Sequence, residues 1–148
     1  ALVQTSDYLE IDKRANYEFT AGKKAIAEAY KKAEITVDDL DFAEVHDCFT
    51  IAELLAYEAL GLAEDGKGKE AIENGIVEKE GKLPVNASGG LKAKGHPVGA
   101  TGVSMAVLAA RQIQGRAIGH QIEAAKTGIT FNIGGSAASN YALIYKKN

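Results

Sequence analysis

The stretch from about Ala100 to Gln114 constrains the fold more than any other part of this chain. Val103, Met105, Ala106, Val107, Leu108, Ala109 and Ala110 cover nearly the whole circumference of a helix at 3.6 residues per turn. Such a helix is expected to be buried on all sides, and a single sheet layer covers only one of them. The segment before it, Gly95-His96-Pro97-Val98-Gly99, brings two glycines and a proline to one turn. Glycine permits close backbone approach and proline fixes the turn, so a histidine here, ahead of a helix N-terminus, is expected to meet a polar ligand.

Other periodicities fill in the architecture. Ala25, Ile26, Ala29, Tyr30 and Ala33 recur at helical spacing between Thr20 and Ala33, with lysines on the other face. Thr50-Ile51-Ala52-Glu53 has the form of a capping box opening a helix whose apolar stripe is Ile51, Leu54, Leu55, Ala59 and Leu62, with Gly61 at its end. Strand patterns cover Ala1 to Thr5, Phe42 to His46, Leu83 to Asn86, Gly128 to Ile133 and Tyr141 to Tyr145, the last two forming a hairpin through Gly134 to Ser139. Gly66 to Gly81 reads as an exposed excursion with one short helix, Glu70 to Asn74. Alternating strands and helices predict an α/β domain, and 148 residues suffice for one domain with its own core. The first residue is Ala1 and a strand is already under way there, so the chain reads as cut from something longer.

Charge and composition exclude several classes of function. Seventeen basic against 20 acidic residues leave a net charge of -3, without the positive field a phosphate backbone requires, so no nucleic acid is expected. No apolar run approaches the ~20 residues that cross a bilayer, and no basic, apolar leader opens the chain. No membrane partner and a cytoplasmic location are the expectation. Gly90 and Gly95 have the separation of P-loop glycines, but His96-Pro97 stands where Lys-Ser or Lys-Thr is needed, so nucleotide binding is rejected. A zinc site from His46, Cys48, His96 and a carboxylate matches no familiar ligand spacing, and no metal is expected. His120 reads as a surface histidine. Cys48, the single cysteine, is either a small buried hydrophobe or a reactive thiol. It sits at a strand-to-helix corner, two residues after His46, where it can feel the positive end of the following helix.

Together these segments resemble the C-terminal half of a thiolase. Gly95-His96-Pro97-Val98-Gly99-Ala100-Thr101-Gly102 is very close to that family's Gly-His-Pro signature, preceded at the expected distance by Asn86-Ala87-Ser88-Gly89-Gly90. His46-Asp47-Cys48-Phe49 is similar to the His-Asp-Cys-Phe motif of sterol-carrier-type thiolases and their archaeal acetyl-CoA acetyltransferase relatives. Phe131-Asn132-Ile133-Gly134-Gly135 occupies the place of the family's Cys-x-Gly motif, with Asn132 where the acid and base cysteine usually stands. The resemblance runs over essentially all of residues 1–148.

The resemblance implies a mixed five-stranded sheet with helices on both faces, the helix from Ala100 lying between two similar halves. It implies acyl transfer, by Claisen condensation or thiolysis of coenzyme A thioesters, with no tightly bound cofactor. Cys48 would be the acid and base, His96 the donor to the thioester enolate oxygen, and His46 its support, directly or through water. The Gly134 amide would hold the oxyanion, while Ser88, Gly89 and Asn132 would line the acyl-CoA pocket. The family's acylated cysteine belongs to the N-terminal half, and this chain has no second cysteine. A partnering N-terminal half is therefore expected, in the same polypeptide or as a separate subunit, and the isolated chain is expected to be inactive. Homo-oligomers, and a complex with a hydroxymethylglutaryl-CoA synthase, are implied by the family alone. A non-catalytic acyl-CoA-binding or scaffold subunit is the alternative.

Overall fold

The structure, a computed structural model, describes residues 1–14 and 19–147. The central sheet has the order β1-β4-β3-β2, formed by β1 (Leu2–Ser6), β2 (Phe42–Val45), β3 (Thr127–Gly134) and β4 (Ser139–Lys146). β2 runs parallel to β3, with Phe42 opposite Gly128 and Val45 opposite Phe131. β3 and β4 form the expected antiparallel hairpin, from Thr127 opposite Lys146 to Gly134 opposite Ser139. β1 closes the other edge, antiparallel to β4.

The fifth strand is present only as a single parallel bridge between Ala43 and Val85, so the sheet has four strands rather than five. Two features of the sequence stop it. Pro84 has no N–H to add to a ladder, and Asn86 turns into the left-handed region at φ 55°. Its backbone still donates to Ala43 O at 2.8 Å, and its side-chain Oδ1 accepts from Val45 N, also at 2.8 Å. A side chain thus completes the edge that a strand would have covered.

Alternation along the strands sorts side chains to two faces. Ile129, Phe131 and Ile133 of β3, with Ala43, Val45, Ala142 and Ile144, point to the main core. There they meet Ala25, Ile26 and Ala29 of α1 (Thr20–Ala33) and Ala52, Ala56, Ala59 and Leu60 of α2 (Thr50–Leu60). The small alanines let both helices lie close to the sheet, and each fully buried large side chain contributes about 1.5–3 kcal/mol. Phe42 points to the opposite face, over Gly128, and packs with Ala109 and Ala125. α5 (Thr101–Ile113) covers that face. Helices therefore flank both sides of the sheet.

Two local expectations differ. Thr50 and Glu53 form no capping box: the cap of α2 is Phe49, in extended conformation, and no side chain caps it. Glu53 is drawn away by Lys92 Nζ at 2.6 Å and Asn86 Nδ2 at 3.1 Å. A capping box forms instead at Thr36 and Asp39, ahead of a single 3-10 turn. The buried stripe of α2 is also rotated, because Ile51 faces solvent while the alanines and Leu60 pack inward. Gly61 does end α2, at φ 85°.

α5 is not buried on all sides within this chain. Met105, Leu108 and Ala109 are buried, but Val103 is 68% and Val107 50% exposed. The excursion between α2 and Val85 contains α3 (Gly68–Glu73), and its Ala71 and Val77 close on Tyr57 of α2 as a small satellite core.

Candidate active site

The parallel pair β2 and β3 ends on the same side of the sheet, and a crevice beyond the carboxyl ends of such strands is a recurrent ligand site. Here it is a cleft of about 1050 Å³, lined mainly by apolar side chains. His46 and Cys48 enter it from the end of β2, Asn132 and Gly134 from the end of β3, and His96 and Thr101 from the loop and first turn of α5. Segments spread over more than 80 residues of the chain thus deliver five of the seven expected site residues to one space.

The two histidines meet edge to face, with ring centroids 4.7 Å apart and planes at 87°. His46 is buried, continues β2 by donating its backbone N–H to Phe131 O at 3.0 Å, and places Nδ1 2.7 Å from Asn132 Oδ1. An amide oxygen only accepts, so His46 Nδ1 carries the proton and its Nε2 is left with a lone pair. Burial depresses the His46 pKa, opposed by the Asn132 hydrogen bond and reinforced by His96. The ring is therefore kept neutral at pH 7. His96 is held by Thr101 Oγ1, 2.6 Å from its Nδ1.

Cys48 is partly buried, and burial pushes its thiol pKa up, outweighing the hydrogen bonds from the backbone N–H groups of Phe49 and of Cys48 itself. The expected pull of the helix N-terminus does not prevail here. The resting group is a thiol, able to give a proton before it can take one. Gly134 lines the cleft with open space where a side chain would be.

Ser88 and Gly89 do not line the cleft. Ser88 Oγ donates to Glu44 Oε2 at 2.5 Å and accepts from Lys94 Nζ at 2.7 Å, while Ser88 N donates to Glu44 Oε1 at 3.0 Å. Gly89, at φ 97°, turns the chain into the short helix α4 (Gly90–Lys94). A second buried carboxylate, Asp47, accepts from Leu91 N at 2.7 Å. Gly90 lies against that carboxylate at φ 64°, where a side chain would overlap it. Glu44 and Asp47 thus tie the Ser88–Lys92 segment to β2 and to the turn after it that carries His46 and Cys48. Neither carboxylate, nor Thr101, stood out in the sequence; a buried acid in a short strand reads as an edge residue until its amide partners are seen. Arg14 was also silent, and it pins the turn after β3 by donating Nη1 to Ser136 O at 2.5 Å. Among the described residues, no group of three or more His, Cys, Asp or Glu is placed to hold a metal ion, and no helix is long and apolar enough to cross a membrane.

Comparison with known proteins gives this geometry a context. A family model described as "Thiolase C-terminal domain-like" matches residues 3–147. An acetyl-CoA acetyltransferase of Methanothermobacter thermautotrophicus is 43% identical over 136 residues, covering 92% of this chain and 36% of the relative. Sterol carrier protein 2 of Homo sapiens is 41% identical over 116 residues, covering 78% of this chain and 21% of that protein. The chain thus spans little more than a third of the first of these curated relatives and about a fifth of the second. Among solved structures, a chain of an Ltp2-ChsH2(DUF35) aldolase has the same fold, with a TM-score of 0.83 and 21% identity over 99% of this chain and 38% of its own.

Proposed function

The chain belongs to the thiolase C-terminal domain-like family, and from that premise we propose that it is the C-terminal catalytic half of a thiolase, an acetyl-CoA C-acetyltransferase acting on coenzyme A thioesters. The observation that carries the reading is the convergence of Cys48, His46, His96, Asn132 and Gly134 on one cleft. A scaffold has no need of a thiol and two imidazoles lining one cleft.

In the cleavage direction, a thiolate supplied by an N-terminal half attacks the 3-keto carbon of a 3-ketoacyl-CoA. The bond between C2 and C3 breaks, leaving an acyl group on that sulfur and an acetyl-CoA enolate in the cleft. Cys48 S–H protonates C2 of the enolate and becomes a thiolate. Free coenzyme A then gives its proton to Cys48 and takes the acyl group, restoring both sulfurs. His96 donates to the enolate oxygen, and the Gly134 amide stabilises the oxyanion at the acyl carbon, charge that exists only along the reaction path. His46, whose Nε2 can only accept while neutral, acts through a water that donates one hydrogen to it and the other to the enolate oxygen. Ser88 and Gly89 contribute indirectly, by fixing the segment that Glu44 and Asp47 hold against the site.

The expected test result is acetoacetyl-CoA cleavage only when this chain is mixed with a matching N-terminal half, with at least a hundredfold loss in Cys48→Ala, in line with the usual weight of a general acid or base. A stable complex that stays inactive would favour the second reading, a non-catalytic acyl-CoA-binding subunit. The raised thiol pKa of Cys48 is the observation on that side, since it disfavours the thiolate that condensation requires.

A further inference from the structure

His96 stands in an exposed loop, and its orientation depends on one buried neighbour. Gly95 and Gly99, both at φ 87°, bracket the loop and have nothing within 4 Å of where a side chain would begin. Thr101 is 3% exposed and sits in the first turn of α5. Its hydroxyl has two acceptors in range, His96 Nδ1 at 2.6 Å and Pro97 O at 3.3 Å.

Hydrogen-bond accounting separates the two. Pro97 O already accepts from Ala100 N at 3.0 Å and from Thr101 N at 3.2 Å, which uses both of its lone pairs. The 3.3 Å separation is also longer than a good O–H···O bond, whereas 2.6 Å is short. The hydroxyl proton therefore has one productive destination.

We infer that Thr101 is a positioning residue for His96: its Oγ–H donates to His96 Nδ1, so the neutral ring carries its own proton on Nε2 and presents a donor to the cleft. The two site histidines are then held in opposite tautomers. Asn132 fixes the proton of His46 on Nδ1, and Thr101 fixes that of His96 on Nε2. One ring then accepts and the other donates, a pair that a water can satisfy at once, whereas a thioester oxygen, which only accepts, is served by His96. The purpose of this arrangement rests on the acyl-CoA reading given above, but its test does not.

The experiment is long-range ¹H–¹⁵N spectroscopy of the imidazoles in the ¹⁵N-labelled 148-residue chain, at a pH well above the ordinary histidine pKa. The three histidines are assigned by single replacements with glutamine. Wild type is expected to show an unprotonated Nδ1 and a protonated Nε2 for His96. Thr101→Ser, which keeps the hydroxyl, should reproduce that pattern. Thr101→Val should lose the single-tautomer signature, with Nδ1 moving towards the average of two exchanging forms. A proton on Nδ1 in wild type overturns the inference, as does an unchanged Nδ1 in Thr101→Val. Should the valine variant fold poorly, the wild-type and serine spectra decide. Acetyl-CoA titrated into this chain mixed with a matching N-terminal half separates the two readings. Absence of binding by that mixture counts against the proposed function and leaves the tautomer assignment standing.

Discussion

His46 is neutral because the fold makes its charged form expensive, and that cost has a measurable sign. Its pKa is depressed in the folded chain, so the unfolded chain takes up a proton first as pH falls. The stabilisation is fully present above the unfolded value of about 6.5 and is lost progressively as pH falls from there through the lower folded pKa. Denaturant unfolding followed from pH 8 downwards should show wild type losing stability over this window, with His46→Gln losing less. Cys48 behaves oppositely. Its raised pKa adds stability below the ordinary thiol value, lost as pH climbs through the folded pKa.

At the scale of elements, the site depends on a grip between the turn that follows β2 and the first residues of α4. Asp47 accepts two backbone N–H groups, from Leu91 at 2.7 Å and Lys92 at 3.5 Å. Removing the carboxylate strands the shorter-bonded, buried donor, which costs about 1–3 kcal/mol. Asp47→Ala should lower stability by that amount in chemical denaturation, while Lys92→Ala, which removes an exposed cation 3.8 Å from the same carboxylate, should cost under about 1 kcal/mol. This level was only partly legible in the sequence. α1, the β3–β4 hairpin and the end of α2 at Gly61 follow from periodicity and a glycine, all local signals. The capping box at Thr50 failed because Glu53 had better partners more than 30 residues away, Asn86 and Lys92. The fifth strand failed because Pro84 and Asn86 stop a ladder that Leu83 and Val85 alone would continue. The histidines and Cys48 were readable as motifs, but Thr101, Glu44 and Asp47 act through contacts that no local pattern encodes.

At the scale of the whole molecule, the uncovered side of α5 is the main departure from a self-contained domain. Val103 and Val107 lie one turn apart on it, and Val98 in the preceding loop is 90% exposed. Soluble monomers rarely leave apolar surface clustered in this way. Val103→Glu should leave the unfolding free energy within about 0.5 kcal/mol of wild type, since the side chain is exposed. It should also abolish association with an N-terminal half in size-exclusion chromatography. Unchanged association would place the contact elsewhere. The excursion after α2 carries a different consequence. Its Ala71 and Val77 close on Tyr57, apart from the main core, and Val85 re-enters beside β2 wherever the intervening chain has wandered. Lengthening a tethered loop twofold costs only about 0.6 kcal/mol. This excursion can therefore be lengthened or trimmed at little cost while the corner that carries His46 and Cys48 stays put, which makes it the natural place in the chain to accept insertions.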